Sequence, residues 1–223
     1  MEEGATASMY GLDGELADGD LTFSTRTLTP KKGGVVIPIP YSLILQARPE
    51  VDAIVEADIV DALAELRDKM ILVGTGADNQ PKGIANTAGV NEMDIDQAFT
   101  WAGVCTMEKL IRDANIFAPL AFVMNSTNKV KYETTLKAEN GMEGYLCESD
   151  KIKNIPVFIN NALDDDTIIL GAFENVAVAD FDAIQLKVDD ITLAKKQAIQ
   201  VIASNAFDVA VRRPKAFTVT KAL

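Results

Sequence analysis

Residues 49–73 read PEVDAIVEADIVDALAELRDKMILV, and apolar side chains recur along this stretch at steps of three and four. Such spacing places them on one face of a single α-helix. That face consists of Val51, Ile54, Val55, Ile59, Ala62, Leu63, Leu66 and Met70. At about 1.5 Å per residue the helix would be about 37 Å long, roughly twice the average length in globular proteins. We expect it to lie along a β-sheet with one face dry and the other wet.

Both ends of this predicted helix carry terminal signals. Pro49 suits the first turn, where its missing N–H would be unpaired anyway. Gly74 follows the last apolar position and is expected to form a left-handed C-terminal cap. The glycine-rich loop 74–84 that begins there lacks a Gly-Lys-Ser/Thr ending and follows a helix instead of opening one. Nucleotide binding is therefore not expected in this loop.

The composition excludes several classes of function. Of 223 residues, 48% are hydrophobic and 24% are charged, which is ordinary for a protein with a buried core. The formal net charge of −12 disfavours a duplex-binding surface, because such surfaces neutralise phosphates with clustered Lys and Arg. The sequence has no histidine, which removes Ser-His-Asp and Cys-His catalysis and nearly all zinc sites. No apolar run reaches the length of a membrane span.

The remaining candidate sites are weak. Cys105 and Cys147 lack metal-ligand spacing and are expected to be reduced and packed. Residues 164–166 are three aspartates that could bind a hard cation, but consecutive side chains point in different directions, so a solvated turn is favoured. No serine lies in a Gly-x-Ser-x-Gly turn. We therefore expect no catalytic residues, no cofactor and no metal, and we do not expect an enzyme.

The rest of the chain predicts a mixed α+β protein with an exposed arm. The segment 21–29, LTFSTRTLT, alternates like a strand, and residues 31–34, KKGG, are expected to break it. The strand 35–40 contains two prolines and should lie at a sheet edge. Further expected elements are a helix at 41–46, a helix from Asp96 to 114, a buried strand at 120–124, a helix at 128–137 after Asn125, strands at 155–160 and 167–170, strand-rich segments at 176–188 and 198–210, and a strand at 217–220. The phenylalanines expected in the core are Phe122, Phe158, Phe173, Phe181 and Phe207.

The N-terminal arm, residues 1–34, is polar and rich in glycine, threonine and aspartate. A segment too polar to fold on itself is either disordered or ordered by a neighbouring molecule. The second case, together with the missing catalytic constellation, favours a protein that assembles with copies of itself.

Several motifs then follow one another at characteristic spacing: Leu21-Thr22-Phe23 with 27–32, the run 36–45 before the long helix, Gln80-Pro81-Lys82-Gly83-Ile84, Met124-Asn125-Ser126, Gly144-Tyr145-Leu146, Ile155-Pro156-Val157, 169–173 and the ending 209–217. Their order over nearly the whole chain resembles the major capsid proteins of tailed bacteriophages, which have the Hong Kong 97-like fold. No single motif is specific, but their common register is.

The resemblance implies a particular organisation and partners. Residues 1–34 would be part of an extended loop (E-loop), residues 35–95 and 185–223 a peripheral β-sheet domain with the spine helix 49–73, and residues 96–184 an inserted axial α/β domain. The subunit would pack into the pentamers and hexamers of an icosahedral shell, with scaffold and portal proteins as further partners and no membrane. Packaged DNA would be met only by non-specific proximity. The expected inter-subunit contacts are Leu12, Leu21, Phe23, Lys31 and Lys32.

Two departures from the family pattern carry expectations of their own. Met1 enters partway through the E-loop, so the chain is expected to be a fragment, a trimmed form or a divergent one. Some members form an isopeptide between an E-loop lysine and a neighbour's asparagine, promoted by a buried glutamate. Residues 16–18 contain no lysine and Ser204 occupies the approximate place of the glutamate, so no self-crosslinking is expected.

The resemblance leaves competing functions. The first is a structural head protein of a tailed phage or prophage, made in the bacterial host cytoplasm and located in the virion capsid. The second is an encapsulin-like shell subunit of a cellular protein compartment. The third is a small enzyme whose site the sequence does not reveal.

Overall fold

Two β-sheets organise the computed structural model, which describes residues 26–42, 50–137 and 144–221. The four-stranded sheet consists of β1 (Lys31–Pro40), β7 (Val176–Asp180), β8 (Gln185–Asp189) and β9 (Ala198–Val211). The six-stranded sheet has the order β2 (Asn91–Asp94), β10 (Phe217–Lys221), β6 (Ile169–Gly171), β3 (Ala121–Met124), β5 (Ile155–Ile159) and β4 (Lys151–Ile152). The helices used below are α1 (Glu50–Val73), α2 (Ile95–Ala98), α3 (Trp101–Arg112) and α4 (Ser126–Thr134). The mixed α+β prediction is confirmed.

The long strand β9 is the centre of the four-stranded sheet. It pairs with β1 along one side, and with β7 and then β8 along the other, all antiparallel. Strand β1 is thus an edge strand, as its two prolines predict, because proline cannot donate to a second neighbour. The predicted break at 31–34 is wrong, since β1 starts at Lys31. Its glycines are needed inside the ladder: a Cβ at Gly34 would lie 2.8 Å from the carbonyl oxygen of Ala203.

Helix α1 lies along this sheet, as the apolar periodicity predicts. Ile59 and Leu63 are buried against Ala203, with Val35 and Val201 packed beside them. The predicted apolar face is too wide, because Ile54 remains 65% exposed. Five residues before Ile59, Ile54 lies about 140° around the helix axis and therefore off the buried face.

The cap predicted at Gly74 is also wrong in its geometry. Gly74 is not among the glycines with positive φ, which are Gly76, Gly89 and Gly144. It is required for space instead, because a Cβ there would lie 2.3 Å from the carbonyl oxygen of Pro81. The chain turns back so closely that the amide of Gly83 donates to the carbonyl of Gly74 at 2.9 Å.

The helix predicted from Asp96 to 114 is divided into α2 and α3. Asp94, not Asp96, caps α2 by accepting from the amide of Asp96. Thr100 interrupts the helix because its hydroxyl donates to the carbonyl of Gln97 and accepts the amide of Gly103. The Asn125 cap is confirmed, since its side chain accepts the amide of Asn128, although α4 starts and ends earlier than predicted.

The main core fills the space around the six-stranded sheet. Phe122, Met107 and Phe217 are completely buried there, and Phe207 is buried at the other sheet. Phe158 and Phe181 were expected in the core, but they are 58% and 45% exposed. Side chains alternate along a strand, so Phe158 turns outward where the adjacent Val157 turns inward.

Some predictions concern residues that lie partly outside the described ranges, and the predicted domain bounds do not coincide with the division of the strands between the two sheets. The helix predicted at 41–46 lies mostly outside the described ranges. Of the strand predicted at 21–29, residues 26–29 are described and are not a strand. Strands β2 and β10 lie in segments expected to be peripheral yet join the six-stranded sheet, while β7 joins the other sheet. Pairing between distant strands does not follow boundaries read along the chain, and the domain division stays a prediction. None of the helices in the described ranges is long and apolar enough to cross a membrane.

Candidate subunit interface

The base of the N-terminal arm is fixed to β9 by Asp208. This carboxylate is 5% exposed, and its Oδ2 accepts the amide of Thr29 at 2.8 Å. Its Oδ1 accepts its neighbour Val209's amide at 2.9 Å and lies 3.5 Å from Nζ of Lys31. Thr29 and Lys31 are therefore held at a defined point at the edge of the four-stranded sheet.

The loop that follows α1 is tied to the same point. Nζ of Lys31 donates to the carbonyl of Gln80 at 2.9 Å. The loop's own amides are used internally, since Gly76 donates to Pro81 and Gln80 donates to Ala77. A phosphate cradle needs amides that are free and converge on a ligand, and these two amides are not free.

The predicted contact residues fall into three groups. Leu12, Leu21 and Phe23 lie outside the described residues. The ammonium group of Lys31 is engaged within its own chain, which gives this residue a structural role at the base of the arm. Lys32 is exposed on the opposite face of β1 from the one that meets α1. Of the two lysines, Lys32 is the one whose position suits contact with another molecule.

An exposed apolar surface lies between α1 and β8. The sequence did not predict it. A groove of about 220 Å³ is lined by Val60 and Leu63 on the helix side and Ile184 on the strand side. Val60 is 51% exposed and Ile184 is 43% exposed. Leu186 and Val188 continue this surface along β8, on the side of the sheet where Val201 and Ala203 meet α1. We call this surface the α1–β8 groove.

The only signal for the groove in the sequence is the alternation of apolar residues in 184–188. The same alternation describes a strand that faces its own core, so the pattern alone predicts a strand and not which surface the strand faces. A strand that faces its own core differs from an exposed one only in whether another element, here α1, packs over it. That depends on the tertiary arrangement and cannot be read from a local pattern.

A polar cluster on α3 is the nearest approach to a chemical site. Nζ of Lys153 lies 2.8 Å from Oε2 of Glu108 and 3.6 Å from Sγ of Cys105. The hydrogen bond from Lys153 lowers the pKa of Glu108, partial burial opposes it, and the charges of Lys153 and Arg112 add to the lowering. The carboxylate and the ammonium form an ion pair, and the Cys105 thiol is placed against the ammonium of this pair.

The cysteines and acidic residues form no metal centre among the described residues. Cys105 and Cys147 are free, the first half-buried and the second buried, as expected. Burial raises the pKa of the Cys147 thiol, which keeps it protonated and unreactive. In the described ranges no three Cys, Asp or Glu side chains converge as metal ligands.

Comparisons with known proteins agree with one another. The curated major capsid protein of Halomonas phage phiHAP-1 is 27% identical over 209 residues, which is 94% of this chain and 35% of that protein. The chain therefore spans about a third of the length of this relative.

Solved structures show the same fold at low identity. The capsid of a native GTA particle is similar with a TM-score of 0.71 and 18% identity, covering 98% of this chain and 80% of that one. A structure from Gordonia phage Cozz gives a TM-score of 0.69 at 17% identity, covering 98% and 78%. A virus-like particle from Pyrococcus furiosus gives 0.62 at 12% identity, covering 99% and 88%.

A family model settles the relationship at the level of sequence. The model described as the phage capsid family matches residues 1–222, which is almost the entire chain. The Hong Kong 97-like resemblance read from the motif order is thereby confirmed. The chain belongs to the phage capsid family.

Proposed function

We propose that this chain is the structural subunit of the head of a tailed phage or prophage, assembling with identical copies into an icosahedral shell that encloses DNA. The observation that carries the proposal is the capsid family match over residues 1–222. The anchored arm adds a physical reason. Because Asp208 fixes its base while its composition is too polar to form a core of its own, the arm is suited to lie on another subunit.

Shell assembly of this kind repeats one heterologous contact until symmetry closes it. The subunit would occupy pentamers and hexamers, with the axial segment 96–184 around their centres and the E-loop on an adjacent copy. Scaffold and portal proteins would be additional partners, and synthesis would take place in the bacterial host cytoplasm. With a net charge of −12, contact with packaged DNA would be non-specific.

The experiment is purification of the expressed chain followed by sedimentation velocity and negative-stain electron microscopy. Closed particles of uniform diameter are expected, and a chain that stays monomeric at all concentrations would contradict the proposal. Denaturing electrophoresis of the particles should show a single band. A covalent ladder would contradict the expectation that Ser204 and residues 16–18 leave no isopeptide crosslink.

A second function, an encapsulin-like compartment shell, is favoured by one observation. The virus-like particle of Pyrococcus furiosus shares the fold across 99% of this chain. The contents of particles isolated from the native host separate the two functions. DNA-filled heads support the phage capsid, whereas small shells that contain a cargo enzyme support the compartment.

A further inference from the structure

A thiol and an amine lie in contact where α3 meets the hairpin formed by β4 and β5. Nζ of Lys153 donates to Sγ of Cys105 at 3.6 Å. Cys105 is half-buried and the side chain of Lys153 is 40% exposed, so a small molecule in the solvent reaches both groups. The two groups can therefore react with a solute and then with each other.

The backbone holds this contact from both sides. Cys105 and Glu108 are three residues apart on α3 and therefore share one face of the helix. Lys153 lies in the two-residue turn of the hairpin, where Lys153 and Asn154 have φ values of 51° and 63°. Positive φ at both central residues is the geometry of a tight type I′ turn. From this turn the lysine reaches the thiol and also Oε2 of Glu108, at 2.8 Å.

The charges around the pair keep the lysine protonated before any reaction begins. The hydrogen bond with Glu108 raises the pKa of Lys153, so its resting form is an ammonium, which is not a nucleophile. A reaction of the amine must therefore first take a proton from Lys153. Oε1 of Glu108 also lies 3.5 Å from Nε of Arg112, so the carboxylate keeps a counter-charge when the lysine becomes neutral.

We propose that hydrogen peroxide joins Cys105 to Lys153 through a covalent sulfur–nitrogen bond. In the first step the Cys105 thiolate, formed by loss of the thiol proton to solvent, attacks one oxygen of the peroxide, and the O–O bond breaks. The other oxygen leaves as hydroxide and takes a proton from the Lys153 ammonium. Sulfur is oxidised and the peroxide is reduced, and the products are a sulfenic acid, water and a neutral amine.

The second step needs no further oxidant. The Lys153 amine attacks the sulfur of the sulfenic acid, the S–O bond breaks and the S–N bond of a sulfenamide forms. The hydroxide and the proton lost from nitrogen leave together as water. The separation of 3.6 Å between Nζ and Sγ is close to the roughly 3–3.5 Å at which reacting atoms are held in near-attack geometries. The bond ties α3 to the hairpin.

The other cysteine provides an internal control. Cys147 is only 4% exposed, and burial raises the pKa of its thiol. Oxidation of cysteine follows exposure and thiolate character, so Cys147 should stay reduced under conditions that oxidise Cys105.

Peroxide treatment of the expressed chain tests the proposal directly. Digestion without reductant followed by mass spectrometry should show the peptide that contains Cys105 linked to the peptide that contains Lys153. The linked pair should be lighter than the sum of the two peptides by two hydrogen atoms, and dithiothreitol should separate it. Cys147 should be found unmodified.

Variants of the hairpin identify the reacting nitrogen. Lys153→Arg keeps the positive charge but has no amine that attacks sulfur, so the link should be lost and a sulfenic acid should accumulate, which dimedone traps. Lys151→Arg, at an exposed lysine of the same hairpin, is the matched control and should keep the link.

Four results in the wild type would overturn the proposal. These are a Cys105 that resists peroxide, a Cys105 that proceeds to sulfinic acid without a link, a link to a different lysine, and a linked pair that retains an oxygen atom. The proposal does not depend on particle formation, so the capsid function stands or fails separately.

Discussion

Asp208 is the residue on which the base of the arm depends. It is buried, and it accepts the amide of Thr29 while lying beside Lys31. We expect Asp208→Asn to lower the free energy of unfolding by about 1–3 kcal/mol, because an amide cannot accept at both oxygen positions and the lysine loses its counter-charge. Urea unfolding followed by circular dichroism measures the change.

The matched control is Asp180→Asn, which breaks the exposed pair with Arg67. Exposed pairs contribute about 0–1 kcal/mol, so this variant should unfold close to the wild type. Equal losses in the two variants would mean that Asp208 is no more than a surface charge.

Because the pKa of Glu108 is lowered, the free energy of unfolding is expected to depend on pH. Its pKa is lowered in the folded state chiefly by the hydrogen bond from Lys153. A carboxyl group with a lowered folded pKa stabilises the protein above its unfolded pKa, and this contribution is lost as the pH falls through the folded value. Glu108→Gln should therefore reduce the loss of stability measured by urea unfolding between about pH 5 and pH 3.

Lys153→Gln removes the cause of the shift and should reduce the same loss of stability. The double variant should show little further change, because both substitutions interrupt one interaction. Additive effects in the double variant would contradict the assignment of the shift to this pair.

At the scale of elements, Thr100 separates α2 from α3 and caps the second of them. Thr100→Ala removes the acceptor for the amide of Gly103, which lies 3.0 Å from the hydroxyl, and should cost about 1 kcal/mol. Thr106→Ala makes the same chemical change within α3, where the exposed hydroxyl bonds only to the carbonyl of Ala102. Thermal unfolding should show a lower midpoint for the first variant and almost none of this effect for the second.

Elements with a strong local signal could be predicted from the sequence. The three-and-four spacing of residues 49–73 identified α1, and Asn125 marked the start of α4. The break at Thr100 was missed because it depends on a side chain that bonds both backward and forward along the chain. The exposure of Phe158 and of β8 was missed because an apolar strand has the same pattern whether it faces its own core, solvent or a neighbouring subunit.

At the scale of the whole molecule, the N-terminal arm could be predicted from the sequence, whereas the α1–β8 groove could not. The arm was recognised because its composition cannot form a core, which is a property of the segment alone. The α1–β8 groove exists only because β9 pairs with β8 on the side opposite β1 and α1 covers just part of the resulting sheet. The groove therefore results from long-range strand pairing, which a short sequence motif does not reveal.

The apolar residues of the N-terminal arm are expected to be needed for particle formation. Leu21 and Phe23 alternate with Thr22 and Ser24 in the strand-like part of the arm. The double substitution Leu21→Ser with Phe23→Ser should abolish particle formation, because these side chains are expected to be buried only against a neighbouring subunit. The free energy of unfolding of the unassembled chain should stay within about 0.5 kcal/mol of the wild type, as for substitutions outside a core.

The control for the arm is Thr22→Ala with Ser24→Ala, which changes the opposite face of the same segment and should leave particles intact. Sedimentation velocity measures assembly, and urea unfolding measures the stability of the unassembled chain. If the Leu21 and Phe23 substitutions instead lowered the free energy of unfolding by more than about 1 kcal/mol, in the range of lost core contacts, the arm would be packed on its own chain. Its role as a link between subunits would then have to be abandoned, because a side chain buried in its own domain is not available to a neighbour.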